Sequence, residues 1–80
     1  MDKLEKAIAK LPKEHREVFD DLSRKLLHRD LTGLNIARLK GYKDVFRLKR
    51  GRLRIIFRIT SNNLEIIDVG LRSEKTYRDF

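Results

Sequence analysis

Basic side chains alternate with apolar ones in the second half of this sequence. Between positions 47 and 58 there are six cations and no acid. Arginine forks bind phosphate oxygens through two parallel hydrogen bonds, and lysine adds a compact positive charge. Fixed cations of this kind can bind a polyanion and stabilise charge that develops on a phosphate during a reaction. The six residues are Arg47, Lys49, Arg50, Arg52, Arg54 and Arg58.

The whole chain is also basic, with a net charge of +8 over 80 residues. This excess of positive charge suits binding to nucleic acid, a ribosome, an acidic membrane or an acidic protein. The alternative interpretation is that the charges only form a solvated surface. No cysteine is present, and no apolar run is long enough for a signal peptide or a membrane span. We therefore expect one soluble, cytoplasmic domain over residues 1–80. His15 and His28 match no ligand spacing, so we expect no metal and no cofactor.

The elements that position these cations can be predicted from periodicity. Apolar residues recur with helical spacing over 4–11 and 18–26, and Pro12 separates the two segments. Residues 29–41 are predicted to form a loop. The period then changes to two, which predicts strands over 45–49, 52–60 and 64–71. Ser73 can cap a short C-terminal helix. The fold class is therefore α+β, with a helical hairpin packed on a small antiparallel meander.

The first predicted hairpin determines which cations face each other. Arg50-Gly51 separates two alternating runs and is predicted to be its loop. The resulting register pairs Lys49 with Arg52 and Arg47 with Arg54. A slip by one residue would bring charges into the core, so this register is strongly favoured.

The third strand adds further residues to the same face. The register that buries most apolar area across the Ser61–Asn63 loop pairs Phe57 with Ile67 and places Gly70 beside Arg54. Gly70 would leave a shallow pocket among the cations. Like charges across a sheet destabilise it, and local conflicts of this kind are typical of functional sites. The cations predicted to converge are Arg47, Lys49, Arg52, Arg54 and Arg72.

These runs resemble a known family. Leu39–Gly41, Val45–Lys49, Leu53–Ile59, Val69–Arg72 and Tyr77 are similar to the RelE/ParE superfamily, the toxins of type II toxin–antitoxin modules. The resemblance covers residues 1–80, with its specific part in 39–77. It implies either a RelE-like, metal-independent endoribonuclease that cuts mRNA in the ribosomal A site and stops translation, or a ParE-like DNA gyrase inhibitor. The basic residues favour the RelE-like branch.

The resemblance also implies partners and site residues. The partners are a cognate antitoxin and mRNA on the ribosome, with contacts to rRNA. The implied catalytic residues are Lys49, Arg54, Arg72 and Tyr77. The other cations of the run from 47 to 58 are the candidate RNA-binding residues: Arg47, Arg50, Arg52 and Arg58. The family usually begins with a strand before the first helix, and none is predicted here. A catalytically inactive nucleic-acid or ribosome binder is therefore a further alternative.

RNA cleavage by its own 2′-hydroxyl would give these residues distinct roles. Arg54 and Arg72 are candidates to stabilise the extra charge on phosphorus. Lys49 is crowded by like charges, which lower a lysine pKa, so it is a candidate general base. Tyr77 could stack on a base or orient the 2′-hydroxyl, and packing of its ring on the sheet is the structural alternative.

Overall fold

The computed structural model describes residues 3–71, in which two helices precede a four-stranded antiparallel sheet of order β1-β2-β3-β4. The predicted α+β architecture of a helical hairpin on a meander is confirmed. The helix predicted after Ser73 lies outside the described residues. The elements are α1 (Lys3–Ala9), α2 (Lys13–Leu27), β1 (Asn35–Arg38), β2 (Val45–Arg50), β3 (Leu53–Ile59) and β4 (Leu64–Leu71).

One face of the sheet is covered by the helices, and the core lies between them. Pro12 has an extended backbone, with φ −57° and ψ 154°, and α2 begins at the next residue. Phe19, Leu22 and Leu26 follow at helical spacing, so one stripe of α2 is buried. This stripe belongs to one core cluster with apolar residues of every long strand: Leu48, Leu53, Ile55, Phe57, Leu64 and Val69.

The segment predicted to be a loop contains strand β1, so that prediction is wrong for residues 35–38. β1 pairs antiparallel with β2, and Ile36 lies opposite Leu48. Four residues are too few to establish alternation in a sequence. The hydrogen-bonding edge of β2 makes this segment a strand, and sequence periodicity does not contain that information.

The β2–β3 turn is displaced by one residue from its predicted place. Its two central residues are Gly51 and Arg52, and Gly51 has φ +56°. Lys49 therefore pairs with Arg54, and the predicted pairs of Lys49 with Arg52 and of Arg47 with Arg54 are wrong. A two-residue hairpin loop needs a positive φ at its first central residue, and glycine adopts it without strain. The predicted turn would have placed an arginine there.

The β3–β4 register agrees with the prediction at one end only. Arg54 lies opposite Gly70, as predicted, but Phe57 lies opposite Ile66, so its predicted pairing with Ile67 is wrong. A bulge between Ile56 and Phe57 absorbs one extra residue of β4. No helix within residues 3–71 is long and apolar enough to cross a membrane.

Candidate nucleic-acid interface

The face of the sheet opposite the helices carries two transverse rows of side chains. Successive side chains of a strand point to opposite faces, so the neighbours of the core residues share this second face. We call the eight residues of the two rows the basic face. One row contains Asn35, Lys49, Arg54 and Gly70, and the other contains Ala37, Arg47, Ile56 and Asp68.

Two cations stand directly opposite each other in the centre of the basic face. Lys49 of β2 pairs with Arg54 of β3, and such partners have Cβ atoms roughly 5 Å apart. Lys49 is half-buried, and it forms no ion pair with an acid of residues 3–71. Like charges at this separation oppose folding, so an anion that bridged the two side chains would remove an existing repulsion.

Arg54 is held rigidly within this row. Only 5% of the residue is exposed, and its Nη1 donates a hydrogen bond to the Gly51 carbonyl at 3.2 Å. The same turn that determines the register thus also fixes the guanidinium. Alternation predicted its face correctly, whereas its burial depends on packing and was not predicted. A cation held in position before a ligand arrives has less reorganisation to undergo when charge develops nearby.

Arg47 has an unsatisfied donor in the second row. Its Nε is buried and has no hydrogen-bond partner in the described part of the protein. A buried donor without a partner costs free energy, and such atoms in native structures commonly indicate a missing ligand, ion or water. A water molecule or an ion that entered this position would satisfy the donor.

Gly70 leaves open space at the end of the first row. Apart from Gly70 itself and its two chain neighbours, no heavy atom of the described residues lies within 4 Å of the position that a Cβ would occupy there. The shallow depression predicted beside Arg54 is therefore consistent with the structure. Asp68 provides an acid in the second row, and its Oδ1 accepts a hydrogen bond from Val69 N–H at 2.9 Å.

The other predicted RNA-binding residues do not belong to the two rows of the basic face. Arg50 and Arg52 are exposed around the β2–β3 turn, and Arg52 is a turn residue where a strand residue was predicted. Arg58 forms ion pairs with Asp44 at 3.6 Å and with Glu65 at 3.9 Å. Arg58 is thus the cation least suited to phosphate, because two carboxylates already face its guanidinium.

Two predicted residues cannot be placed, and one candidate was not anticipated. Arg72 and Tyr77 lie outside the described residues. Asn35 joins the first row beside Lys49 because β1 exists. The signal for it was the short alternation around Ile36, which is too brief to separate a strand from a loop. Within residues 3–71 no group of three or more His, Cys, Asp or Glu side chains is placed to hold a metal ion.

Comparison with known proteins gives one informative similarity. No family model and no curated protein sequence matches this chain. Among solved structures, it is similar to a chain of the RelB–RelE antitoxin–toxin complex from Methanococcus jannaschii, with a TM-score of 0.78 and 18% sequence identity. The alignment covers 90% of this chain and 87% of that chain. The two helices and the antiparallel sheet described above therefore form the same fold as that chain.

Proposed function

We propose that this chain is the toxin of a type II toxin–antitoxin pair and that it cleaves mRNA on the ribosome. The observation that carries the proposal is the row in which Lys49 and Arg54 face each other beside the open space at Gly70. The similarity to a chain of an antitoxin–toxin complex supports the same class. A cognate antitoxin is then the protein partner, and ribosome-bound mRNA is the substrate.

In the proposed cleavage reaction, the cations of the basic face have different tasks. The 2′-oxygen of the RNA attacks the adjacent phosphorus, and the bond from phosphorus to the 5′-oxygen breaks. Arg54, fixed by the Gly51 carbonyl, and Arg47, with its unsatisfied Nε, stabilise the negative charge on the phosphoryl oxygens. Lys49, which is opposite Arg54 and next to Arg47 on the same face of β2, accepts the proton of the 2′-hydroxyl. Water protonates the leaving 5′-oxygen. The resemblance adds Arg72, as a further cation for the charge on phosphorus, and Tyr77, which would stack on a base or orient the 2′-hydroxyl.

The burial of Arg54 favours a second function, in which the basic face binds RNA or the ribosome without cutting it. An arginine of which only 5% is exposed offers a phosphate little surface, and its guanidinium already donates a hydrogen bond to the Gly51 carbonyl. Lys49 and the turn arginines would then provide the RNA contacts. This function requires cations but no proton acceptor, so the two functions differ in what they require of Lys49.

The decisive test is mRNA cleavage on purified, programmed ribosomes by the unmutated chain and by Lys49→Ala, Lys49→Arg and Arg47→Ala. We expect cuts in A-site codons that fall by about 10²–10³ in rate when a stabilising cation is removed. Lys49→Arg keeps the charge but cannot accept a proton near neutral pH, so it should fail as Lys49→Ala does. Lys13→Ala, an exposed change on α2, is the control with the same loss of charge.

Each alternative gives a different result in this test. Tight ribosome binding without cuts by the unmutated chain would establish the non-catalytic binder. Cleavage that Lys49→Arg retains would remove Lys49 as the proton acceptor and leave it as an electrostatic residue. Absence of both binding and cleavage, together with inhibition of supercoiling by purified DNA gyrase, would replace the proposal with the gyrase-directed function.

A further inference from the structure

The connection between β1 and β2 contains an ordered turn over residues 39–42, which we call the β1–β2 turn. Leu39 N–H donates to the Val45 carbonyl at 2.9 Å, and Tyr42 N–H donates to the Leu39 carbonyl at 3.2 Å. Gly41 is the third residue of this turn and has φ +88°, the sign that a type II turn requires at that position. Two hydrogen bonds and an unstrained glycine therefore hold the backbone that carries Tyr42.

Tyr42 presents an aromatic ring to solvent at this turn. The residue is 43% exposed, whereas the other aromatic residues of 3–71, the three phenylalanines, are buried or half-buried. Tyr42 also does not belong to the hydrophobic core or to the apolar residues packed against it. A ring that the core does not use is available to stack on a planar group of a ligand.

A pocket of about 410 Å³ lies against this ring, and its other polar lining residues are basic. Arg38, Lys40 and Lys43 line it together with Tyr42. All three cations are exposed, and none forms an ion pair with an acid of residues 3–71. Asp44, the acid that follows the turn, already pairs with an arginine of β3 at 3.6 Å. Three such cations around one ring match a ligand that has both negative charge and a planar group.

This pocket is separate from the basic face but within reach of the same nucleic-acid strand. None of its residues belongs to the two rows, and it lies at the end of β2 opposite the β2–β3 turn. The chain from Arg47 to Tyr42 spans at most about 18 Å. A strand of nucleic acid advances about 3.4 Å per stacked nucleotide, so about five nucleotides would connect the two positions.

We propose that the β1–β2 turn is a second RNA-binding site, at which an unpaired base stacks on Tyr42 and the flanking phosphates pair with Lys40 and Lys43. Aromatic rings beside cations bind single strands in this way, because every base has a face that can stack. The proposal rests on the proposed function only in that RNA is the ligand, and it requires no cleavage. A base held here would fix the position of the strand relative to the cations of the basic face.

The small apolar surface of the turn separates RNA from an acidic membrane as the ligand. Binding to a membrane surface needs a continuous apolar face that enters the lipid, in addition to cations. Within this turn Tyr42 is the one exposed apolar side chain, because Leu39 is half-buried. Stacking of a base needs only a single ring, so the turn is better suited to RNA.

The test measures binding of the full chain to a single-stranded 2′-O-methyl RNA of about eight nucleotides, whose blocked 2′-oxygens prevent cleavage. Fluorescence anisotropy gives the affinity, and 2-aminopurine placed at each position in turn reports stacking by loss of its emission. We expect Tyr42→Ala to weaken binding about tenfold and to abolish this loss of emission, because the base has no ring to stack on. Tyr42→Phe keeps the ring and should bind as the unmutated chain does.

An abasic nucleotide separates stacking from charge in the same assay. It keeps the phosphates but has no base, so at the stacked position it should weaken binding to the unmutated chain. In Tyr42→Ala the same nucleotide should have no further effect, because both changes remove one interaction.

The lysines of the turn should affect the salt dependence of binding. Lys40→Ala/Lys43→Ala removes two phosphate contacts, so the slope of log affinity against log salt should fall by about 1.4 for a single strand. The matched controls are changes on the helical hairpin that should leave the affinity unaltered: Lys10→Ala/Lys13→Ala, with the same loss of charge, and Leu27→Ala, at a residue that is 60% exposed.

Several outcomes would overturn the proposal. Equal affinity of Tyr42→Ala and Tyr42→Phe would show that no base stacks on this ring. Equal loss of affinity in the two double variants would show a general charge effect. Sedimentation with acidic phospholipid vesicles that Tyr42→Ala abolishes, with RNA binding unaltered, would assign the turn to a membrane. Circular dichroism verifies that each variant is folded before its affinity is interpreted.

Lys49→Ala tests the basic face separately from the turn. If this variant keeps the RNA affinity of the unmutated chain while Tyr42→Ala loses it, the function proposed for the basic face fails and the second site stands. If Lys49→Ala loses affinity while Tyr42→Ala keeps it, the basic face binds RNA and the second site does not exist.

Discussion

The two faces of strand β3 differ in what their residues contribute to folding. Ile55 and Phe57 are fully buried against the helices, where removal of apolar surface from water stabilises the fold. On the other face Arg54 is 5% exposed and stands opposite Lys49, so like charges oppose the same fold. One strand therefore carries apolar residues that stabilise the fold and a cation whose like-charged neighbour opposes it. Substitutions on the two faces should separate stability from activity.

The largest effect is expected on the helix-covered face. Phe57→Ala removes a fully buried ring that stacks on Phe46 with centroids 5.7 Å apart. Replacing a core phenylalanine by alanine costs about 3–5 kcal/mol, which is a large part of the stability of a small domain. Urea denaturation of the variant should show a mostly unfolded chain at low denaturant. A midpoint close to that of the unmutated protein would mean that the core is not where the structure places it.

A smaller effect is expected at the turn that aligns both faces. Gly51 has φ +56°, and its carbonyl accepts the hydrogen bond from Arg54. Gly51→Ala should destabilise the fold by about 1 kcal/mol, because alanine is strained at positive φ. Thermal denaturation measures this loss. Gly33→Ala, also at positive φ but outside the hairpin, is the control: both variants should lose stability, and only Gly51→Ala should also weaken RNA binding.

Reversing one charge of the pair formed by Lys49 and Arg54 should raise the stability of the fold instead of lowering it. Lys49→Glu replaces repulsion across the β2–β3 pair with attraction to Arg54, so stability should rise by about 0.5 kcal/mol. RNA binding and cleavage should nevertheless be lost. The midpoint of urea denaturation measures the change in stability, and a cleavage assay on programmed ribosomes measures the loss of activity. If Lys49→Glu lowers stability, the two side chains do not face each other as the register indicates.

The smallest effect on stability is expected at Gly70. Beyond the two chain neighbours of Gly70, a Cβ there would meet no heavy atom of the described residues, and the glycine does not have a positive φ. Gly70→Val should therefore change the free energy of unfolding by no more than about 0.5 kcal/mol. Its side chain would fill the space beside Arg54, so RNA affinity should fall. Unchanged affinity would show that RNA does not approach the basic face at this end.

Prediction from the sequence succeeded where the spacing of apolar and polar residues along the chain determines the local structure. Helical spacing in 18–26 and alternation in β2 and β3 identified the elements, and the alternation assigned Lys49 and Arg54 to the same face. It failed at the turn after Arg50, at the bulge beside Phe57 and at β1. Each of these depends on backbone conformation or on a partner strand, and a one-residue change in a turn displaces a whole register.

What the sequence determined by itself is the composition of each face. The period of two in β2 and β3 separates apolar from basic side chains, and the hydrophobic effect then decides which face the helices cover. Only the tertiary structure decided which cations become neighbours. Positive φ at Gly51 pairs Lys49 with Arg54, β1 brings Asn35 beside Lys49, and packing buries Arg54. These outcomes depend on contacts between segments distant in the chain, which periodicity does not encode.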